Sequence, residues 1–378
     1  MTSPVLDFIR ADSVAEVATL VAESRAAGKV PLVGDQRWSM QHWQTVCQRW
    51  SEEKLFEDTA WAALSSGTTG NPRLILRTAQ SWQNSFEILN NILRATADDV
   101  FYIPGSPASS LALFTIAHAA KLGASVVGDE SFEQATIFHG TPSLLRSTLA
   151  RLAAGQSSKL RVALVGGDAL DAATREIAAA HSISVISYYG AAELSLVAID
   201  VDGSGLKPFA GVEIKIIDGQ LWVKSPYRAI GYLGDGGALQ ESADGFATVG
   251  DLASFEDGCL KIQGRADGAI QTAGVTVIPE EVEKALQTLP GVDQVVVFGL
   301  PSESIANLVA AVITFNAHAP SEANELRTIE KLASELLSHT HRPRVWFVAE
   351  SLPTTVSAKP ARKQIQAAAI AGEYRKLV

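Results

Sequence analysis

The segment of residues 160–190, LRVALVGGDALDAATREIAAAHSISVISYYG, carries the pattern that decides the fold. The apolar runs 160–165 and 184–189 predict two strands, and residues 172–180 between them predict a helix. Strands joined through a helix lie parallel in one sheet, and ligands of such sheets bind beyond the carboxyl ends of the strands. Two groups of residues follow these strands, namely Gly166-Gly167-Asp168 and Tyr188-Tyr189-Gly190-Ala191-Ala192-Glu193.

The same alternation continues toward the N-terminus. Helices are predicted over residues 13–27, 39–50, 81–96, 111–122 and 143–154, and strands over 100–103, 124–127 and 135–138. An apolar segment at 30–33 separates the first two helices. The expected fold class is therefore α/β, with a mostly parallel sheet covered by helices.

The pattern changes after Gly211. Short alternating strands at 212–217, 220–224 and 247–249, with glycine-rich turns between them, predict an antiparallel module attached to the α/β body. Beyond Gly264-Arg265-Ala266-Asp267, helices at 279–289 and 322–337 and strands at 294–298, 308–315 and 345–348 predict a small α+β unit. We expect two domains, residues 1–266 and residues 267–378.

The composition excludes several classes of protein. The chain has 378 residues, of which 47% are hydrophobic and 19% charged, so it can bury a large core. A net charge of −10 argues against nucleic acid as a partner, because that binding needs clustered lysine and arginine. Cys47 and Cys259 are far apart and lack metal-site spacing, and no apolar run reaches transmembrane length. A soluble cytoplasmic protein without a membrane span is expected.

Residues 64–73 read Leu-Ser-Ser-Gly-Thr-Thr-Gly-Asn-Pro-Arg. Small residues let main-chain N–H groups approach an anion, hydroxyls can bond phosphate oxygens, and Arg73 adds a positive charge. The run predicts a phosphate-binding loop built from Ser65, Ser66, Gly67, Thr68, Thr69, Gly70 and Arg73, although its spacing is not that of a P-loop. The same composition also fits a surface turn between two strands.

Five motifs in order resemble those of the adenylate-forming (AMP-binding) superfamily of acyl-CoA synthetases, adenylation domains and luciferases. After the phosphate loop, Tyr189 to Glu193 resembles its Y-G-x-T-E segment and Val249-Gly250-Asp251 its T-G-D segment. Gly264 to Asp267, with Ala273-Gly274 and Pro279 to Glu283 following, resembles the hinge and the start of the C-terminal domain. Residues 352–362, with Lys359 and Arg362, resemble the terminal P-x-x-x-x-G-K-x-x-R.

The resemblance implies a two-step reaction and a role for each matching residue. A carboxylic acid and ATP give an acyl-adenylate and pyrophosphate, and a thiol, that of CoA or of a carrier-protein phosphopantetheine, then displaces AMP. Lys359, Glu193 and Thr69 would be catalytic, with Glu193 and Thr69 holding Mg²⁺ and Asp251 accepting the ribose hydroxyls. The remaining nucleotide or CoA contacts would come from the phosphate loop and from Gly167, Tyr188, Tyr189, Gly190, Arg265 and Gly274, and Asp267 would be the hinge.

The chain departs from the family pattern at four places. Arg73 stands where lysine is usual, Ala192 where threonine is usual, and Ala358 where glycine is usual, and only about sixty residues precede the phosphate loop. Short chains of this kind resemble the o-succinylbenzoate-CoA ligases of menaquinone synthesis, which makes o-succinylbenzoate the first expected acid.

Several questions stay open at the level of the sequence. An aryl or acyl ligase that loads a carrier protein is one alternative, and a catalytically weakened relative that only binds nucleotide is another. A homodimer is compatible with either. The acyl pocket is expected among Ser109, Leu113, His139, Gly166, Gly167 and Tyr188.

Overall fold

A computed structural model describes residues 4–64, 73–234, 239–265, 268–272, 275–302, 307–316, 322–338, 340–355 and 359–377. Its helices are α1 (Val14–Ala26), α2 (Met40–Trp50), α3 (Ala79–Leu93), α4 (Ser110–Leu122), α5 (Pro142–Ala153), α6 (Ala172–Ala180), α7 (Pro279–Leu286), α8 (Glu322–Leu336) and α9 (Arg362–Ile370), with a 3₁₀ helix at Asp129–Gln134.

The strands of the N-terminal half are β1 (Leu6–Ile9), β2 (Val30–Val33), β3 (Trp61–Leu64), β4 (Leu74–Arg77), β5 (Val100–Tyr102), β6 (Ser125–Val127), β7 (Ile137–Gly140), β8 (Val162–Gly166), β9 (Ser184–Ala191) and β10 (Ser195–Asp200). Those that follow are β11 (Lys207–Pro208), β12 (Glu213–Ile217), β13 (Gln220–Lys224), β14 (Gly231–Leu233), β15 (Gln240–Glu241), β16 (Ala247–Thr248), β17 (Asp251–Glu256), β18 (Cys259–Arg265), β19 (Ile270–Thr272), β20 (Val275–Val277), β21 (Val292–Pro301), β22 (Asn307–Phe315), β23 (Val345–Val348) and β24 (Arg375–Lys376).

The central sheet has the strand order β11-β10-β9-β8-β7-β5-β6. The five strands from β9 to β6 are parallel to their neighbours, and β10 and β11 extend the sheet in antiparallel fashion. This confirms the predicted α/β class with a mostly parallel sheet. Because β5, β7, β8 and β9 run in the same direction, the segments that follow them meet at one edge.

Local sequence explains where the helices near this edge begin. Thr141 caps α5 and Pro142 occupies its first turn, where a missing N–H is harmless. Asp171 caps α6 by accepting a 2.7 Å hydrogen bond from the Thr174 amide, and Ser109 caps α4 in the same way at Ala112. Each cap places a loop of the candidate site directly before a rigid helix.

Several predicted boundaries were wrong by a few residues. The helix predicted over 81–96 spans Ala79–Leu93, because Thr78 caps it and Arg94 ends it in the left-handed region at φ 51°. The strand predicted over 184–189 continues to Ala191. Strand β10 and helix α9 have no counterpart among the predicted elements.

The remaining sheets include the short antiparallel strands that the sequence predicts after Gly211. An antiparallel sheet with the order β15-β16-β13-β17-β18, with β12 paired to β13, forms the expected module. A separate sheet joins β14, β4 and β3, so the strand after the predicted phosphate loop lies between two antiparallel partners. The module also brings Asp251 against Tyr189 near the carboxyl end of β9.

The C-terminal unit is built on the sheet β21-β22-β23-β24. Its two faces bury separate apolar clusters, one that includes Val282 and Trp346 and one that includes Phe298 and Ile365. Arg362 at the start of α9 donates to Glu280 at 2.9 Å and to both carboxylate oxygens of Glu283. This ion cluster joins the motif of residues 279–283 to the motif of residues 352–362.

None of the helices in the described ranges has both the length and the apolar character that a membrane span requires.

Candidate active site

The candidate site lies at the carboxyl edge of the central sheet. Ser65, Ser66, Gly67, Thr68, Thr69 and Gly70, together with Asp267, Gly274 and Ala358, lie outside the described residues. The strands on either side of the phosphate-loop segment are described, and Leu64 of β3 pairs with Leu74 of β4. The predicted loop therefore connects two adjacent antiparallel strands, with Arg73 just before β4.

Glu193 is held in place by Tyr232. The hydroxyl of Tyr232 donates a 2.7 Å hydrogen bond to Oε1 of Glu193, and the Arg73 guanidinium carbon lies 5.2 Å from the centre of the Tyr232 ring. Burial, and then the Glu193 charge, raise the pKa of the Tyr232 phenol, so it stays a donor at neutral pH. Sequence reasoning missed Tyr232, which reaches the site because β14 pairs with β4.

The turn that carries Glu193 depends on glycine at position 190. Any side chain there would clash with the main-chain oxygen of Ser195, because β9 and β10 fold closely back on each other. Ser195 itself has φ 60°, an uncommon conformation for a residue other than glycine. The close approach of β9 and β10 therefore requires glycine at position 190, three residues before Glu193.

Asp251 and Tyr189 form a second pair. The Tyr189 hydroxyl donates to Oδ2 of Asp251. Asp251 also lies opposite Arg265 in the β17–β18 register, so two predicted nucleotide-binding residues come together on neighbouring strands. An ionised carboxylate has about four lone-pair sites and can accept several hydrogen bonds at once.

Lys359 reaches the sheet edge from the C-terminal unit. Its Cε lies 3.4 Å from the position that a Cβ would take on Gly167. The same position is 3.6 Å from a methyl carbon of Thr141. Lys359, Gly167 and Thr141 therefore meet, which places an ammonium group beside the ends of β7 and β8.

A tether that the sequence did not suggest holds the Lys359 segment in place. Arg37 donates to the main-chain oxygen of Thr355 at 3.1 Å and to the Thr354 hydroxyl at 3.4 Å, and Thr355 in turn bonds the Lys359 main chain. The guanidinium is itself paired with Asp35, which is 1% exposed, at 2.7 Å. Burial opposes ionisation of Asp35, but the hydrogen bonds from Arg37 outweigh it, and the pKa of the carboxyl is lowered.

A cavity beside the edge matches the expected acyl pocket in part. It is a small cavity of about 20 Å³ that opens to solvent. Its lining residues are Ile103, Gly105, Ser109, Leu111, His139, Gly140, Thr141 and Leu144. Ser109 and His139 were expected there, whereas Leu113 is fully buried in the main core.

His139 is the polar centre of this cavity. Its Nδ1 lies 2.6 Å from the Thr115 hydroxyl and its Nε2 lies 3.0 Å from the Tyr188 hydroxyl. Burial, reinforced by His118, lowers the pKa of His139 to about 3, so the ring is neutral at physiological pH. The Tyr188 ring covers Gly166, where a side chain would clash with it, so Tyr188 faces the acyl side of the edge.

The fold is a mostly parallel α/β sheet with polar side chains gathered at its carboxyl edge. The chain belongs to the AMP-binding enzyme family, whose sequence model matches residues 8–233. The model of the AMP-binding enzyme C-terminal domain matches residues 281–359, which include Lys359.

Known proteins similar to this chain agree with that membership. An uncharacterized acyl-CoA ligase, YhfT of Bacillus subtilis, is 29% identical, and the match covers 82% of this chain and 68% of YhfT. A probable 2-succinylbenzoate-CoA ligase of Mycobacterium tuberculosis is 27% identical over 80% of this chain and 82% of its own. The crystal structure of ATP-bound MatB from Rhodopseudomonas palustris has the same fold, with a TM-score of 0.79 at 18% identity, covering 97% of this chain and 89% of MatB.

Proposed function

We propose that this chain is an AMP-forming ligase that joins a carboxylic acid to the thiol of CoA. In the first step a carboxylate oxygen attacks the α-phosphorus of ATP, the bond to the bridging oxygen breaks, and pyrophosphate leaves. In the second step the thiol sulfur attacks the acyl carbon and AMP leaves. The observation that carries the proposal is the meeting of Lys359 with Gly167 at the sheet edge, beside the Glu193 and Asp251 pairs.

Three groups of side chains at this edge would serve the first step. Asp251 would accept the ribose hydroxyls, with Tyr189 fixing its carboxylate. The Lys359 ammonium would stabilise negative charge as the acyl–phosphate bond forms. The Ile103, Leu111 and Leu144 side chains would hold the acyl group, while neutral His139, bonded through both ring nitrogens to Thr115 and Tyr188, would form a fixed wall of the pocket.

The donor set around Glu193 suits Mg²⁺. Within the described residues Tyr232 bonds Oε1 of Glu193, so Oε2 would bind a metal, and magnesium sites use one or two carboxylates plus substrate phosphates. When bound, the ion would neutralise phosphate charge. Thr69 would be the second protein ligand in this proposal.

The relatives suggest which acid to test first. Because one of them is named a 2-succinylbenzoate-CoA ligase, o-succinylbenzoate is the first acid to test. The proposal further places the enzyme in the cytoplasm, with residues 1–266 and 267–378 as two domains that move about Asp267. We also propose that the protein is a homodimer, which gel filtration with light scattering would detect.

The experiment is a pair of single-turnover assays on the wild type and two lysine variants. Pyrophosphate release is measured with o-succinylbenzoate and a panel of aliphatic and aryl acids, and thioester formation is measured from supplied acyl-adenylate with CoA or a carrier protein. Lys359→Ala should lower pyrophosphate release by about 10²-fold and spare thioester formation. Lys363→Ala, an exposed lysine of α9, is the matched control and should change neither.

Three outcomes would contradict this proposal. No pyrophosphate release with any acid would leave a protein that only binds nucleotide. Thioester formation with a carrier protein alone would replace CoA as the acceptor. Equal loss of both half-reactions in Lys359→Ala would mean that the lysine does not serve the first step alone.

A further inference from the structure

Arg77 is a buried cation directly behind the Glu193 turn. It lies on β4 and is 1% exposed. Its guanidinium donates to the main-chain oxygen of Tyr227 at 2.6 Å and to that of Ala192, and its Nε has no hydrogen-bond partner. No carboxylate in the described part of the chain forms an ion pair with it. Burying a charge in this way costs free energy, so its presence calls for a reason.

Burial lowers the pKa of Arg77 to about 9, while the charge of Glu193 acts in the other direction, so the guanidinium stays protonated at neutral pH. Both side chains are tied to the same turn, because Arg77 donates to the main-chain oxygen of Ala192 and Tyr232 donates to the carboxylate of Glu193. In the water-poor interior, such a charge acts over a longer distance than it would at the surface. Arg77 therefore offsets part of the negative potential of Glu193.

The main chain is fixed on both sides of Glu193. Arg77 holds the oxygen of Ala192, and the amide of Ala229 donates to the oxygen of Glu193 at 2.7 Å. The Ala192 side chain can make no hydrogen bond of its own. The position of this turn is thus fixed by Arg77, which lies 115 positions earlier in the chain.

We propose that Arg77 is a positioning residue for Glu193, which fixes the Ala192–Glu193 peptide and keeps a positive charge behind the carboxylate. A triphosphate that approaches Glu193 then meets a weaker negative field than the carboxylate alone would create. The inference rests on the proposed function only in assigning ATP to this edge.

The test separates charge from structural support. ATP affinity is measured by titration calorimetry, with and without Mg²⁺, for Arg77→Lys and Arg77→Met, and thermal unfolding is measured in parallel. Both variants lose a hydrogen bond to a carbonyl and should melt at a lower temperature. Arg77→Met should weaken ATP binding by about tenfold or more, whereas Arg77→Lys, which keeps the charge, should weaken it by about threefold or less.

The matched control is Arg342→Met. Arg342 also donates to two main-chain oxygens, those of Leu337 and Ser334, but lies in the C-terminal unit beside α8. It should lower the melting temperature and leave ATP affinity unchanged. If Arg77→Met is insoluble, Arg77→Gln, which keeps an N–H donor without the charge, replaces it in the comparison.

Two results would overturn the inference. One is unchanged ATP affinity in the uncharged variant. The other is an equal loss of affinity in the charged and uncharged variants, which would make Arg77 a structural residue only. A wild type that binds ATP but activates no acid would refute the proposed ligase and still leave the Arg77 comparison decisive.

Discussion

At the scale of single residues, Asp251 is expected to divide its acceptor capacity between a neighbour and a ligand. Tyr189 donates to Oδ2, and an ionised carboxylate has about four lone-pair sites in all, enough to accept from ribose hydroxyls as well. Removing the carboxylate would leave those hydroxyls without a partner, whereas removing the tyrosine hydroxyl would only loosen the orientation of the acceptor. The two residues should therefore contribute unequally to ATP binding.

We expect Asp251→Ala to weaken ATP binding by about 1–3 kcal/mol and Tyr189→Phe by about 0.5–1.5 kcal/mol. Calorimetry with ATP and with 2′,3′-dideoxy-ATP checks this. The dideoxy compound lacks both hydroxyls, so Asp251→Ala should scarcely change its affinity. Equal losses for the two nucleotides would remove the ribose role from Asp251.

Much of the candidate site could be predicted from residues that form local motifs. Glu193 and Asp251 each belong to a short run with its own spacing, and the structure places both at the sheet edge. Tyr232, Arg77 and Arg37 could not be found in this way. Each acts as a single side chain on a partner more than thirty positions away, so its role exists only through tertiary packing.

At the scale of elements, Arg37 links the Lys359 segment to the N-terminal part of the chain. Arg37 is 51% exposed, but its partner Asp35 is buried, so the ion pair fixes the guanidinium more firmly than a surface pair would. The hydrogen bonds from Arg37 to Thr354 and Thr355 hold the segment over the sheet edge. This tether should favour the arrangement that serves adenylate formation.

Arg37→Lys should reduce pyrophosphate release by about threefold to tenfold, because one ammonium group cannot reproduce the fork of contacts to Asp35 and Thr355. Thioester formation from supplied adenylate should be unchanged or faster. Arg146→Lys is the control, since its ion pair with Asp171 is exposed on both sides and lies on α5 and α6. A loss of both half-reactions would show that Arg37 supports the fold rather than the lysine segment.

The elements themselves were predictable where periodicity was strong. Helices α4 and α6 and strand β23 carry long apolar patterns and clear boundaries, and they formed within a residue of the predicted positions. Strand β10 was missed because it follows β9 after a very tight return at Ser195. Helix α9 was missed because it is short, rich in alanine and glutamine, and has no side-chain cap.

At the scale of the whole molecule, two buried histidines link stability to pH. Burial lowers the pKa of His118 to about 4, and burial with the His118 charge lowers that of His139 to about 3. Both values lie below the ordinary value near 6.5, so the unfolded chain binds protons first as the pH falls. Stability is therefore complete above about pH 6.5 and decreases below it.

We expect the free energy of unfolding to fall by up to about 1.4 kcal/mol per pH unit per histidine between pH 6.5 and 5. Urea unfolding at several pH values measures this slope, which His118→Gln should reduce. His181→Gln, just after α6, is the control and should leave the slope unchanged. Burial raises the pKa of Glu283, so this carboxyl makes the free energy of unfolding fall as the pH rises. Its contribution is the same in both variants. A slope that His118→Gln does not alter would show that His118 is not one of the titrating groups.

The Arg362 cluster also has a consequence for the order of events during synthesis. Glu280 and Glu283 leave the ribosome long before their shared cation, and until Arg362 arrives they cannot be buried as an ion cluster. Domains tend to fold as the chain emerges, so the proposed domain of residues 1–266 should fold first while the last unit waits. Lys359 belongs to that late unit. The nascent chain therefore acquires a nucleotide cleft before it acquires the lysine, and protease protection of stalled chains should show the C-terminal unit becoming resistant only after residue 362 is exposed.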